Sequence, residues 1–114
     1  MFMMADLMQK VSVRNLTNDT LTNIQLTHDG DWNGGHKEVI KKLNNNESRE
    51  ISLYTQKVND NCNLILTYTY KDISNTIVVY DKLNGKDLRF ITLEIKEVDE
   101  TIVVNTIVDN NLWT

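Results

Sequence analysis

The sequence predicts an all-β fold: an antiparallel β-sandwich of seven or eight strands, immunoglobulin-like or C2-like. Three observations predict it. Apolar and polar residues alternate with period two from Val11 onward, interrupted by polar turn clusters. Ile, Val and Thr are abundant, Ala occurs only at Ala5 and Pro is absent, a mix that suits half-buried pleated strands better than helices. The strands recur at a spacing of roughly 8–14 residues, no segment carries a sustained 3.6-residue apolar period, and nothing reads as a βαβ unit.

Val11 and Val13 alternate with Ser12 and Arg14 as a first strand, and Asn18-Asp19-Thr20 turns the chain. The next strand sets Thr22, Ile24, Leu26 and His28 on one face. Asp29 to His36 is a glycine-containing loop. Glu38 to Leu43 reads either as a single helical turn or as a short edge strand, and the run Asn44-Asn45-Asn46 breaks it. Ile51, Leu53 and Thr55 then alternate with Ser52, Tyr54 and Gln56, and Asn59-Asp60-Asn61 forms a turn. In the strand from Asn63 to Tyr70, Leu64, Leu66, Tyr68 and Tyr70 oppose Ile65, Thr67 and Thr69. Ile77 to Tyr80 is apolar on both faces, which suggests a central strand. Asn84-Gly85 is the strongest hairpin signal, because both residues accept the positive φ of a type I′ turn. Leu88 to Val98, a tight turn near Asp99, and Thr101 to Val108 complete the pattern, with Ile91, Leu93 and Ile95 able to face Ile102, Val104 and Val108.

With 114 residues there is room for one domain. It is expected over residues 11–114, led by a poorly ordered or clip-like segment at residues 1–10. The net charge of −4 is dispersed, and Lys37, Lys41 and Lys42 make no basic stripe, so nucleic acid is not an expected partner. The single cysteine, Cys62, excludes an intramolecular disulfide and a multi-cysteine zinc site; in step with Leu64 and Leu66, it reads as a small packing residue. The apolar start from Met1 to Met8 is too short for a secretory core, and no stretch approaches the ~18 apolar residues of a membrane span. As it stands the chain reads as cytoplasmic, or as secreted if a signal peptide was removed. Asn15-Leu16-Thr17, Asn18-Asp19-Thr20 and Asn46-Glu47-Ser48 fit the glycosylation pattern, as an Asn-rich chain does by chance.

Chemistry concentrates in His28-Asp29-Gly30-Asp31-Trp32-Asn33-Gly34-Gly35-His36, which holds both histidines and three of the four glycines. The simplest reading is a surface turn with Trp32 folded back on the core and Asp29 bonding loop amides. Three sharper readings compete with it. Asp29, Asp31, Asn33 and Gly34 match the opening of a calcium loop, but Ile40 stands where a bidentate Glu belongs, leaving Glu38 as a substitute. Alternatively, Trp32 offers a flat face to a sugar or other small ligand, with Asp29, Asp31 and Asn33 bonding hydroxyls around it. Finally, His28 and His36 with an aspartate would suit zinc, at an unspecific spacing. The ligand-binding candidates are therefore Asp29, Asp31, Trp32, Asn33 and His36, with Asp29, Asp31, Asn33 and Glu38 as weak calcium candidates.

No Gly-x-Ser-x-Gly, His-Glu-x-x-His or phosphate-cradling loop is present. Glu94, Glu97, Asp99 and Glu100 read as a solvated strand end rather than a glycosidase pair. Tyr54, Tyr68, Tyr70 and Tyr80 read as cross-strand packing before a binding face. The expected function is a non-catalytic module contacting a protein or carbohydrate through loops at one end, with no required cofactor. A calcium-dependent, membrane-associating or toxin-like domain is the second reading, and a small hydrolase the third.

Overall fold

The computed structural model describes residues 9–30, 37–53, 55, 60–84 and 88–109. These form eight strands: β1 Gln9–Asn15, β2 Leu21–His28, β3 Glu38–Leu43, β4 Ser48–Leu53, β5 Cys62–Tyr70, β6 Ile73–Leu83, β7 Phe90–Val98 and β8 Thr101–Asp109. Two four-stranded sheets, ordered β4-β1-β7-β8 and β3-β2-β5-β6, make an all-β sandwich. Every pairing is antiparallel except β1 with β7, which run parallel. β1 and β2 lie in different sheets, whereas a constant-type immunoglobulin sandwich keeps its first two strands in one.

Alternation places the core. Val11, Val13, Leu53, Ile91, Leu93 and Ile95 project from the first sheet. Leu21, Ile24, Leu26, Ile40, Leu43, Leu64, Leu66, Tyr68, Tyr70 and Leu83 meet them from the second, and all sixteen are buried. The expected register of β5 holds along its length, and Ile91 and Ile95 sit opposite Val108 and Val104.

Three expectations need correction, and one open alternative is decided. In β2 it is Leu21, not Thr22, that joins Ile24, Leu26 and His28 in the interior. Asn23, at φ 50°, breaks the alternation, and the pairing with β5 shifts between Thr22 and Gln25. Of the two readings of Glu38–Leu43, the edge strand is the one that holds. Its buried Ile40 and Leu43 stand three apart because they oppose Ile24 and Leu21 across the same irregularity, and that spacing is what imitates a helical turn. Ile77–Tyr80 belongs to an eleven-residue edge strand, with Ile77 and Val78 exposed, rather than to the middle of a sheet. Asn84 does not open a hairpin, because β6 and β7 lie in different sheets. The two-residue turns are instead Lys71-Asp72 (φ 50° and 65°) and Asp99-Glu100 (φ 52° and 65°), both in the left-handed region that type I′ turns require.

Asn15 ties the β1–β2 corner together. Fully buried, it donates through Nδ2 to the carbonyls of Asp19 (2.8 Å) and Leu43 (2.9 Å), and its Oδ1 accepts from the Thr17 backbone N–H and hydroxyl. Its amide nitrogen is therefore committed, and the Asn15-Leu16-Thr17 pattern is no acceptor in the folded chain. Gln9 and Lys10, expected in the leading segment, are the first residues of β1; residues 1–8 lie outside the described residues. No helix is long and apolar enough to cross a membrane among the described residues.

Candidate functional site

Of the loop candidates, Asp31, Trp32, Asn33 and His36 lie outside the described residues. Asp29 and Glu38 are within them. Asp29 follows the last residue of β2 and latches it to β5. Its Oδ1 accepts from the Asn63 backbone N–H at 2.7 Å and its Oδ2 from Asn63 Nδ2 at 2.9 Å, while its own N–H donates to the Asn63 carbonyl at 3.3 Å. The backbone bond from Asn63 above all, then the side-chain bond, holds the Asp29 carboxyl below its usual range. Both oxygens thus already receive protein donors from β5. His28 is buried, its Nδ1 accepting from the Gly30 N–H at 3.3 Å. Glu38 opens β3 opposite Leu26. Among the described residues no three His, Cys, Asp or Glu side chains are grouped to hold a metal ion.

A cleft lies elsewhere. The β5–β6 turn sits opposite the Asp29 end, because Leu21 pairs Tyr70 while His28 pairs Leu64, and the Tyr70–Glu97 bond places the β7–β8 turn beside it. The two hairpins belong to different sheets, and between them opens a cleft of about 700 Å³. Tyr68, Tyr70, Ile73 and Ile102 give it apolar surface; Lys71, Asn75, Glu97, Glu100 and Thr101 supply polar groups.

Its best-fixed element is Tyr70. The ring is buried, and the hydroxyl donates to Glu97 Oε1 at 2.6 Å across the two sheets. That bond first, then burial, then the charges of Glu97 and Asp19 push the phenol up to about 12. At neutral pH the pair is a charge-assisted hydrogen bond and not a poised acid or base. Lys71 Nζ stands 5.3 Å from the centre of the Tyr70 ring, within cation–π range. Burial also raises the phenol of Tyr68. Asn75 is steadied by donating to the Ile73 carbonyl at 3.2 Å, and Ile73 itself is 65% exposed.

The sequence offered half of this site. The alternation of β5 placed Tyr68 and Tyr70 inward, as packing before a binding face. Glu97 is 27 positions from Tyr70, and their meeting depends on two hairpins in separate sheets ending at one pole. The turn propensities near Asp99 hinted at one hairpin; Lys71-Asp72 gave no comparable signal.

Comparison with known proteins adds the fold alone. A protein from Eubacterium rectale, solved by NMR, superposes with a TM-score of 0.64 at 15% identity, covering 99% of both chains. A chain described as a trapped toxin aligns with a TM-score of 0.46 at 8% identity, over 88% of this chain and 23% of its own. No family model and no curated protein matches the sequence.

Proposed function

We propose that this chain is a non-catalytic binding module that takes a protein or glycan ligand at one end of the sandwich, in the cleft between the β5–β6 and β7–β8 turns. The observation that carries this reading is the cleft itself. It is open, mixes tyrosine and isoleucine surface with an amide, an ammonium, carboxylates and a hydroxyl, and is held in shape by the Tyr70–Glu97 bond. Ligand sites combine apolar surface with a few fixed polar groups in this way. Immunoglobulin-like variable domains likewise bind through loops at one end of the sandwich. Of the two ends, the cleft end is the better furnished among the described residues. At the other end each carboxylate oxygen of Asp29, a calcium candidate, accepts one bond from Asn63.

The test is a screen of a glycan array and a displayed peptide library, followed by amide chemical-shift mapping with each hit. Shifts should cluster at Tyr68–Asn75 and Glu97–Ile102. Asn75→Ala or Glu97→Gln should weaken binding about tenfold, the loss of roughly one net hydrogen bond. Shifts confined to His28–Glu38 would return the site to the opposite end. Calcium-dependent liposome partitioning with no array or library hit would overturn the reading in favour of a membrane-associating domain.

A further inference from the structure

Three of the four edge strands carry features that resist pairing with another chain. β3 presents Glu38, Lys41 and Lys42, and β4 presents Arg49 and Glu50, charges of the kind that blunt an edge. β6 shifts register against β5 around Leu64, bears Asp81 and Lys82, and lends its Val79 carbonyl to the Thr106 hydroxyl at 2.7 Å. β8 is different. Its nine residues pair with β7 in unbroken register, and its one charged residue is the last. Except for Val39, the well-exposed large apolar residues among those described lie on β6, β7 and β8.

The hydrogen-bonding phase of β8 follows from its turn. Val98 and Thr101 close the two-residue loop as a hydrogen-bonded pair, so pairs alternate outward from there. Odd-numbered residues of β8 bond β7. The backbone N–H and C=O groups of Ile102, Val104, Thr106 and Val108 therefore point away from β7, along the edge that no described strand pairs.

The strand Thr-Ile-Val-Val-Asn-Thr-Ile-Val-Asp is nearly symmetric in character about Asn105. We propose that two copies of this chain pair through β8, antiparallel and centred on Asn105, forming one continuous eight-stranded sheet about a two-fold axis. In that register Val104 meets Thr106 and Ile102 meets Val108, as the pairs that exchange backbone hydrogen bonds. On the outer face Val103, 40% exposed, meets Ile107, 44% exposed. Asn105 meets itself, and Asp109 meets Thr101, so no like charges oppose. A shift by one pair step sets Val103 against Asn105 or Ile107 against Asn105 and leaves strand ends unpaired. Both β6 strands come to the same side of the joined sheet, beside the axis, where Ile77 and Val78 stand exposed.

Sedimentation velocity on the whole chain, from micromolar to near-millimolar concentration, tests the proposal. The mass should rise from 13.2 kDa toward twice that value. Val103→Lys/Ile107→Lys should stay monomeric throughout, since lysine then faces lysine twice. Val103→Lys/Ile107→Glu should restore the dimer, because only the Asn105-centred register sets lysine against glutamate on both sides. This second variant also controls for folding. In a Cys62→Ser background, mild oxidation should link Asn105→Cys into a covalent dimer and leave Thr101→Cys monomeric, since the axial pair alone brings identical residues within disulfide reach. Three results would each overturn the proposal: a wild-type chain that stays at monomer mass, a dimer indifferent to the double lysine substitution, or a cross-link at Thr101→Cys but not at Asn105→Cys.

Discussion

Tyr70 shows how a residue read as packing acquires a second role from its position. Its ring fills the core beside Leu21, its strand partner, while the hydroxyl reaches Glu97 in the opposite sheet. The folded phenol titrates at about 12 against 10.0 for an unperturbed one. Between those values the unfolded chain releases its proton first, so the folded state binds more protons and stability falls as pH rises. Below pH ~10 the contribution is present in full. Thermal melts of wild type and Tyr70→Phe should therefore diverge in slope across this window, with the variant losing less stability per pH step. Parallel slopes would mean that the hydroxyl is not held by Glu97. Asp29 works in the opposite direction: lowered by Asn63, its contribution is present above its ordinary value of 3.8 and is lost as acid protonates it.

At the scale of elements, the sequence was legible wherever one face of a strand is buried and the other is not. β5 reads correctly from Leu64 to Tyr70, because period-two alternation and burial agree at each position. It was illegible where the backbone departs from the pleat. One positive φ at Asn23 moved Leu21 into the core and gave β3 its helix-like spacing, an effect fixed by pairing between strands and invisible in either alone. Turn chemistry misled for a related reason. Asn84-Gly85 has the preferred residues, but strand pairing puts the hairpins at Lys71-Asp72 and Asp99-Glu100, where side chains are forced into left-handed conformations. A non-glycine residue there costs about 1–2 kcal/mol, partly offset by the entropy a glycine would lose on folding. Asp72→Gly, at φ 65°, should accordingly stabilise the protein by about 0.5–1 kcal/mol and raise its Tm by roughly 2–5 °C. A lower Tm would show that Asp72 makes a compensating interaction in the turn. The candidate cleft was less legible than the strands because its residues come from two hairpins in different sheets, and the order of sheets is not written in any local period.

For the molecule as a whole, the two hairpins are local, but the sheet that unites β1 with β7 is not. Arg14 reaches Glu94 at 3.1 Å over a separation of 80 residues, and the parallel pairing around it runs from Val11–Ile91 to Asn15–Ile95. Closing so long a loop costs entropy before any contact repays it, so folding should be slow, in the milliseconds to seconds of other non-local β-sandwiches. The β5–β6 and β7–β8 hairpins are the pieces able to form first, each closed by a two-residue turn. β1, which lies between β4 and β7, should then dock late. Val13 is fully buried in the middle of β1. Val13→Ala should cost about 1.5–3 kcal/mol, from two lost methyl groups and the cavity they leave. Because β1 is absent from the early structure, nearly all of that loss should appear as faster unfolding, with the folding rate barely changed. Stopped-flow chevrons of wild type and variant measure the split. If the folding limb slowed by as much as the unfolding limb sped up, β1 and its parallel partner would already be joined at the transition state, and the hairpins could not be the sole nucleus.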